Sequence, residues 1–514
     1  MGCWFAKRSR KPDEFMAAGR SMSGWVIGLS IFGTYVSSVS FLGNPGKAFG
    51  SNWNSWVFGL SLPIAAVIAV KYFIPLYRSS QEVSAYYHLE KRFGPWARTY
   101  AMICYLLSQF ARIGTILYLV ALAVAPLTGW NLIAIIVVTG IMVTIYTLLG
   151  GIEAVIWTDV IQSLVLICGA IVCAVVLLTG MPGGSSQLFS IAQENHKFDL
   201  GSFDLHLKSL MFDSPTFWMV LLFGIFINLQ NFGIEQSFVQ RYITAKTDRD
   251  AKFSVWLAAI MFPIMSALFF FIGTGLFSFY QAKPEAIAPV KAQVAEMKLA
   301  AANEPITPET IQAKANELKP SDIGDKVFPL FIATELPVGV AGLLIAAILA
   351  AAMSSIDTSL NSSATVYLTD IHQRHLKRDI DDAGRMKVLH TATILIGIVG
   401  TGTALAMISV KSALDAWWVL QGAFSGGMLG LFLLGQISKR ANNPAAVVAT
   451  ILGIVLIIWL SVSNTDLWPE TWQGFANPLH KLMTIVIGTS SIVLLGALLS
   501  RLLSRPASAP VEAK

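Results

Sequence analysis

Apolar runs of 18 or more residues recur along nearly the whole chain, separated by short polar or charged stretches. A helix of about 20 such residues crosses a hydrocarbon core of about 30 Å. About twelve spans are predicted, over 24–44, 53–77, 99–127, 131–149, 153–179, 215–240, 253–281, 336–366, 388–410, 413–436, 443–464 and 480–500. Between 282 and 327 the apolar pattern stops. Ala286 to Leu299 and Pro308 to Leu318 read as short helices there, the second opened by Thr307-Pro308-Glu309-Thr310. This loop is expected to cap the outer surface, with no chemistry of its own.

Three spans depart from a plain apolar pattern. The eighth contains AAAMSSIDTSLNSSAT, from Ala350 to Thr365. At ~100° per residue, Ala351, Ser354, Asp357, Thr358 and Asn361 share one face, with Ser355, Ser359 and Ser362 beside it. A carboxylate with a strip of hydroxyls at membrane depth is costly and marks an ion or substrate path. The plain alternative is that Ser and Thr bond back to their own helix or join two helices. The first span, SIFGTYVSSVSFLGNPGKAFG from Ser30, is loosened by Gly33, Gly43, Pro45 and Gly46 and carries Ser37, Ser38 and Ser40. The sixth, FGIFINLQNFGIEQSFVQRYI from Phe223, is interrupted by Asn228, Gln230, Asn231 and Gln236. Broken helices are tolerated in a membrane where the freed backbone lines a cavity. Two of them, first and sixth of ten, suit an inverted repeat in which helices 1–5 mirror 6–10.

The composition agrees: 55% of the 514 residues are hydrophobic and 13% charged, so the fold class is an all-α polytopic membrane protein. The net charge of +6 fits basic loops rather than a nucleic-acid surface. Basic clusters fall on every second connection: Lys7 to Lys11, Lys91-Arg92 with Arg98, Arg241 with Lys246 and Arg249, Arg374 to Lys387, Lys439-Arg440, then Arg501 and Arg505. By the positive-inside rule both termini are cytoplasmic. The expected organisation is a cytoplasmic segment over 1–20, a transporter core over 21–440, additional helices over 441–503 and a tail over 504–514. The four cysteines form no CxxC pair, and the seven histidines form no metal-binding motif.

Two buried charges remain. Arg112 lies about 14 residues into the third span, roughly 20 Å from Arg98, too far to snorkel. Arg matches carboxylates bidentately, so an acidic cargo is its natural partner; the alternative is a salt bridge with Asp159 or Asp357. Asp159, in GGIEAVIWTDVIQ, lies about 10 Å inside the fifth span, as a cation ligand or ion-exit relay or, on the plain alternative, as an interfacial carboxylate that still reaches water.

Gly150-Gly151-Ile152 with Trp157-Thr158-Asp159-Val160-Ile161-Gln162, Val239-Gln240-Arg241, and Ser354-Ser355 with Leu360-Asn361-Ser362 resemble the sodium:solute symporter family. VSSVSF, Arg112 and PVGVAGLLIAAI are similar to its bacterial sialic acid members. The likeness runs from about Lys7 to Arg440 and implies a LeuT-type 5+5 core with sodium as coupling ion. It implies a sodium site of the Gly33, Val36 and Ala351 carbonyls with the Ser354 and Ser355 hydroxyls. A second sodium site would take Asp159, Ser354, Asp357 and Thr358, with Asp357 replacing a serine of the family's pattern. Ser37, Ser40 and Arg112 would surround a cargo carboxylate, with Asn228 and Gln421 as further contacts. Gly59 stands where the sialic acid group carries a glutamine, so the pocket wall differs. Members normally have a preceding span, and MGCWFAKRSRKPDEF resembles only its cytoplasmic end.

The function expected is sodium-coupled import of a small acidic solute, a sugar acid such as sialic acid, across a bacterial inner membrane by alternating access. A neutral sugar or a monocarboxylate is the alternative cargo; a membrane sensor or a channel is the alternative class. Neither a nucleophile–base constellation nor a phosphate loop appears, so an enzyme is not expected.

Overall fold

The computed structural model describes residues 11–36, 38–80, 82–206, 215–302, 304–377, 379–409, 413–463 and 468–503. Ten of its helices are long and apolar enough to span a membrane, and a bent pair makes an eleventh. The helix Leu132–Gly180 supplies two crossings, because Gly151 interrupts it at φ 58°, ψ −166°. Only glycine adopts that backbone without strain, and a Cβ there would lie 3.0 Å from the Phe15 backbone. Twelve crossings result, as the hydropathy pattern predicts, and we number them as spans in chain order.

Span 1 is the bent pair, Gly24–Tyr35 and Ser38–Gly50, turned by 50°. It runs six residues beyond the predicted limit of 44 because the second half restarts after the break. Span 6 is likewise split, into Phe217–Ile234 and Gln236–Thr244, with Glu235 extended between them. Span 8 runs over Val338–Val366 and continues as a wider π-helical turn through Tyr367–Leu376. Span 8 packs against both halves of span 1, against span 5 and against the second half of span 6.

Backbone bonds tie the two repeats together. Met22 N–H donates to Thr244 O at 3.0 Å, and Lys246 N–H returns to Met22 O at 3.0 Å. Gly24 N–H at the start of span 1 donates to Asp250 Oδ1 at the start of span 7, 2.8 Å away.

Three elements differ from the sequence reading. In the segment before span 1, for which no element was predicted, Pro12–Ala17 is helical, and Phe15 is completely buried against Gly151 and the His390 ring. Arg241 is not a loop charge: the short helix after the break carries it into the core, where it is the largest fully buried side chain. The loop after span 7 contains the two expected helices, Ala288–Ala302 and Pro308–Glu317, and a third, Pro320–Thr334. That third helix packs directly on the second half of span 1. Gly324 sits against the Gly46 backbone and Phe328 against the Phe41 ring, centroids 5.4 Å apart.

Candidate functional site

The polar face of span 8 forms as its spacing requires: Ala351, Ser354, Ser355, Asp357, Thr358 and Asn361 are all buried. Part of it follows the plain reading. Ser359, Ser362 and Thr365 donate to carbonyls one turn back at 2.9, 2.6 and 2.9 Å. Ser354 and Asp357 look outward to other helices.

Asp159 is the hub. Its carboxylate accepts from Ser30 Oγ on span 1 at 2.5 Å, from Arg241 Nη2 on span 6 at 2.9 Å, and from Ser354 Oγ on span 8. Gly33 lies against it as well: a Cβ there would sit 3.4 Å from Asp159 Cβ and 2.8 Å from Ser163 Oγ. The carboxylate therefore touches the first half of span 1 and the hydroxyl face of span 8 together. Ser355 Oγ, a member of the expected sodium set, also donates one turn back, to Ala351 O at 3.3 Å. Val36 ends the first half of span 1 at φ −88°, ψ 76°, outside helical backbone.

The expected second cation set is partly occupied by a guanidinium. Arg241 Nη2 donates to Asp159 Oδ2 and, at 2.8 Å, to Thr358 Oγ1, while Nε donates to Ser30 Oγ at 2.8 Å. Asp357 is held differently. Its Oδ2 accepts from Tyr146 OH at 2.7 Å, and its Oδ1 is buried with no protein partner among the described residues. A buried carboxylate oxygen left so is expensive unless a cation or proton reaches it.

Arg112 sits half-buried on span 3 and donates to Thr34 O at 3.2 Å, at the end of span 1's first half. Asp159 is paired with Arg241 rather than with Arg112, so the alternative Arg112–Asp159 bridge does not form. The foremost charged neighbour of Arg112 is Glu235, a buried carboxylate at the break of span 6 that sequence reasoning missed. Its signal was present: an acid inside a run already interrupted by four polar residues. Ser40 donates to Tyr35 O at 3.1 Å across the break of span 1, whereas Ser37 lies outside the described residues. Asn228 donates to Ser61 Oγ at 2.8 Å, and its Oδ1 has no protein partner among the described residues. Gln421 is half-buried on span 10, which packs against spans 3 and 6; among the described residues no polar contact joins it to the others.

The chain is similar to known proteins along nearly its whole length. The model of the Sodium:solute symporter family matches residues 15–453. The sodium/sialic acid symporter SiaT of Proteus mirabilis is 33% identical over 97% of this chain and 91% of its own length. NanT of Aliivibrio fischeri, also a sodium/sialic acid symporter, is 32% identical over 95% and 89%. A solved substrate-bound, outward-open sialic acid symporter superposes with a TM-score of 0.82 at 32% identity, covering 98% of this chain and 95% of that one. With its broken first and sixth helices meeting a hydroxyl-lined eighth, the chain belongs to the sodium:solute symporter family and is a multi-pass, sodium-coupled solute transporter.

Proposed function

We propose that this protein imports a carboxylate-bearing sugar acid, sialic acid being the leading example, together with sodium across a bacterial inner membrane. The supporting observation is the convergence on Asp159 of the broken span 1 and the hydroxyl face of span 8. Sodium held by the Gly33, Val36 and Ala351 carbonyls with Ser354 and Ser355 braces span 1 in its cargo-binding shape. A second sodium takes Asp357 Oδ1 with Asp159 and Ser354, while Arg241 anchors the far side of Asp159 and Thr358. Arg112, Ser40 and Ser37 receive the cargo carboxylate, and Asn228 and Gln421 its remainder. The basic connections put both termini on the cytoplasmic side by the positive-inside rule.

One charge moving inward through 100 mV releases ~2.3 kcal/mol. A tenfold sodium gradient adds ~1.4 kcal/mol, so one or two sodium ions concentrate cargo by orders of magnitude. Linkage requires sodium and cargo to tighten each other's binding by the same factor.

The test is uptake of N-acetylneuraminate into proteoliposomes under an imposed sodium gradient. Accumulation above the outside concentration is expected, collapsing without the gradient and in Arg112→Ala. A channel gives equilibration only. Uptake of a neutral sugar that survives Arg112→Ala removes the anion-binding role.

A further inference from the structure

The break of span 6 gathers hydrogen-bond acceptors that the sodium sites do not use. Glu235 is buried, and its backbone is extended between the two half-helices. Although it stands at the start of the second half, its side chain does not cap that helix. It turns to other partners: Gln109 Nε2 on span 3 at 2.9 Å, Gln230 Nε2 at 3.1 Å and Ser237 Oγ at 3.2 Å. Because both glutamines give their amide N–H to this carboxylate, their orientation is fixed, for the reverse would set oxygen against oxygen.

The consequence is a concentration of unmet acceptors. Gln109 Oε1, Gln230 Oε1 and, on the same half-helix, Asn228 Oδ1 are buried with no protein partner among the described residues. Gln109 and Gln230 are 2% and 1% exposed, so bulk water does not satisfy them. Buried polar groups ordinarily find partners, and each one left unmet costs about 1–3 kcal/mol. Arg112 stands on span 3 as well, one turn beyond Gln109. It and Glu235 are each other's foremost charged neighbours, yet among the described residues no ion pair forms between them. Arg112 reaches instead to Thr34 O at the break of span 1. One cationic donor, Arg112, and a set of buried acceptors thus lie around Glu235.

We propose that Glu235, with the carbonyl oxygens of Gln109 and Gln230, determines specificity by reading hydrogen-bond donors on the cargo, away from the carboxylate that Arg112 takes. This rests on the sodium-coupled acid transport proposed above and sharpens it. The cargo carries hydroxyl or ammonium donors, and a plain monocarboxylate is rejected because it leaves the acceptors unmet. A site built to hydrogen-bond a group discriminates strongly against the analogue lacking it.

The test uses the full chain at fixed sodium, with affinities from thermal stabilisation. The probes are hexanoate, gluconate, 6-aminohexanoate and N-acetylneuraminate. At least one donor-bearing acid is expected to bind ten times tighter than hexanoate, and whether hydroxyls or the ammonium confer this identifies the donor. Glu235→Gln should cut that preference at least fivefold, with the shift produced by sodium alone retained. If Glu235→Gln does not fold, Gln109→Met and Gln230→Met replace it, each expected to lower the preference. Equal binding of hexanoate, or an unchanged preference in the variants, overturns the acceptor role and leaves acid transport standing. Stabilisation by sodium with no response to any acid instead overturns the acidic-cargo reading, and this proposal with it.

Discussion

Arg241 Nη2 and Asp159 Oδ2 are 2.9 Å apart, and neither side chain is exposed at all. The pair joins spans 5 and 6 at the point where spans 1 and 8 also meet. Its two unlike charges are further bonded by Ser30, Thr358, Ser354 and the Ser237 carbonyl, which satisfies most of the remaining donors and lone pairs.

Breaking such a pair leaves the survivor charged and unmatched in the interior. Arg241→Met and Asp159→Asn, each alone, are expected to destabilise the protein by about 3–5 kcal/mol. The double variant should cost distinctly less than the two combined. Melting curves of the four proteins at equal sodium measure this, and strict additivity would show that the pair carries no coupling.

Ser354 and Ser355 stand beside Ala351 on the face of span 8 that meets span 1. Replacing both with alanine removes two oxygen ligands of the proposed sodium site. The half-saturating sodium concentration for uptake is expected to rise at least tenfold. An unaltered sodium curve places the coupling ion elsewhere.

Asp357 makes a distinctive prediction because one of its oxygens is buried with no protein partner among the described residues. Asp357→Ser removes a buried carboxyl that needs a cation or a proton, so the sodium-free protein should melt higher than wild type. The additional stabilisation on adding sodium should shrink. A variant that melts lower without sodium, or keeps the full sodium shift, argues that Asp357 holds no ion.

Lys197, in the connection after span 5, donates Nζ to the carbonyls of Phe49 and Ser51 at 2.7 and 2.8 Å, at the end of span 1's second half. Burial pushes its ammonium down from the ordinary 10.5 to about 8. Below pH 8 folded and unfolded chains are both charged here, and the cost of burying the charge is felt in full. Between pH 8 and about 10.5 the unfolded chain holds the extra proton, so stability should rise with pH. Lys197→Met is expected to flatten that part of the melting-temperature profile.

Much of the site was legible because a polar residue stands out in an apolar run. Asp357, Ser354 and Asp159 each interrupt a span, and Gly33 and the Asn228–Gln236 cluster mark the two breaks. Arg241 and Glu235 were obscured by their surroundings. Arg241 lies five residues before Lys246, near the end of a span, where position along the chain cannot distinguish a loop charge from a core one. Glu235 sits among four other polar residues, so its charge adds little to a pattern already broken.

Hydropathy and helical periodicity settled the membrane class, the twelve crossings, the interrupted first and sixth spans and the hydroxyl face of span 8. These are local properties: a bilayer requires long apolar helices, and spacing along one helix assigns residues to a face. Which charge answers which was decided only by tertiary packing. Arg241 neutralises Asp159 from 82 positions away because two separate helices abut there, while Arg112 and Asp357 are left facing groups that no reading along the chain could pair with them.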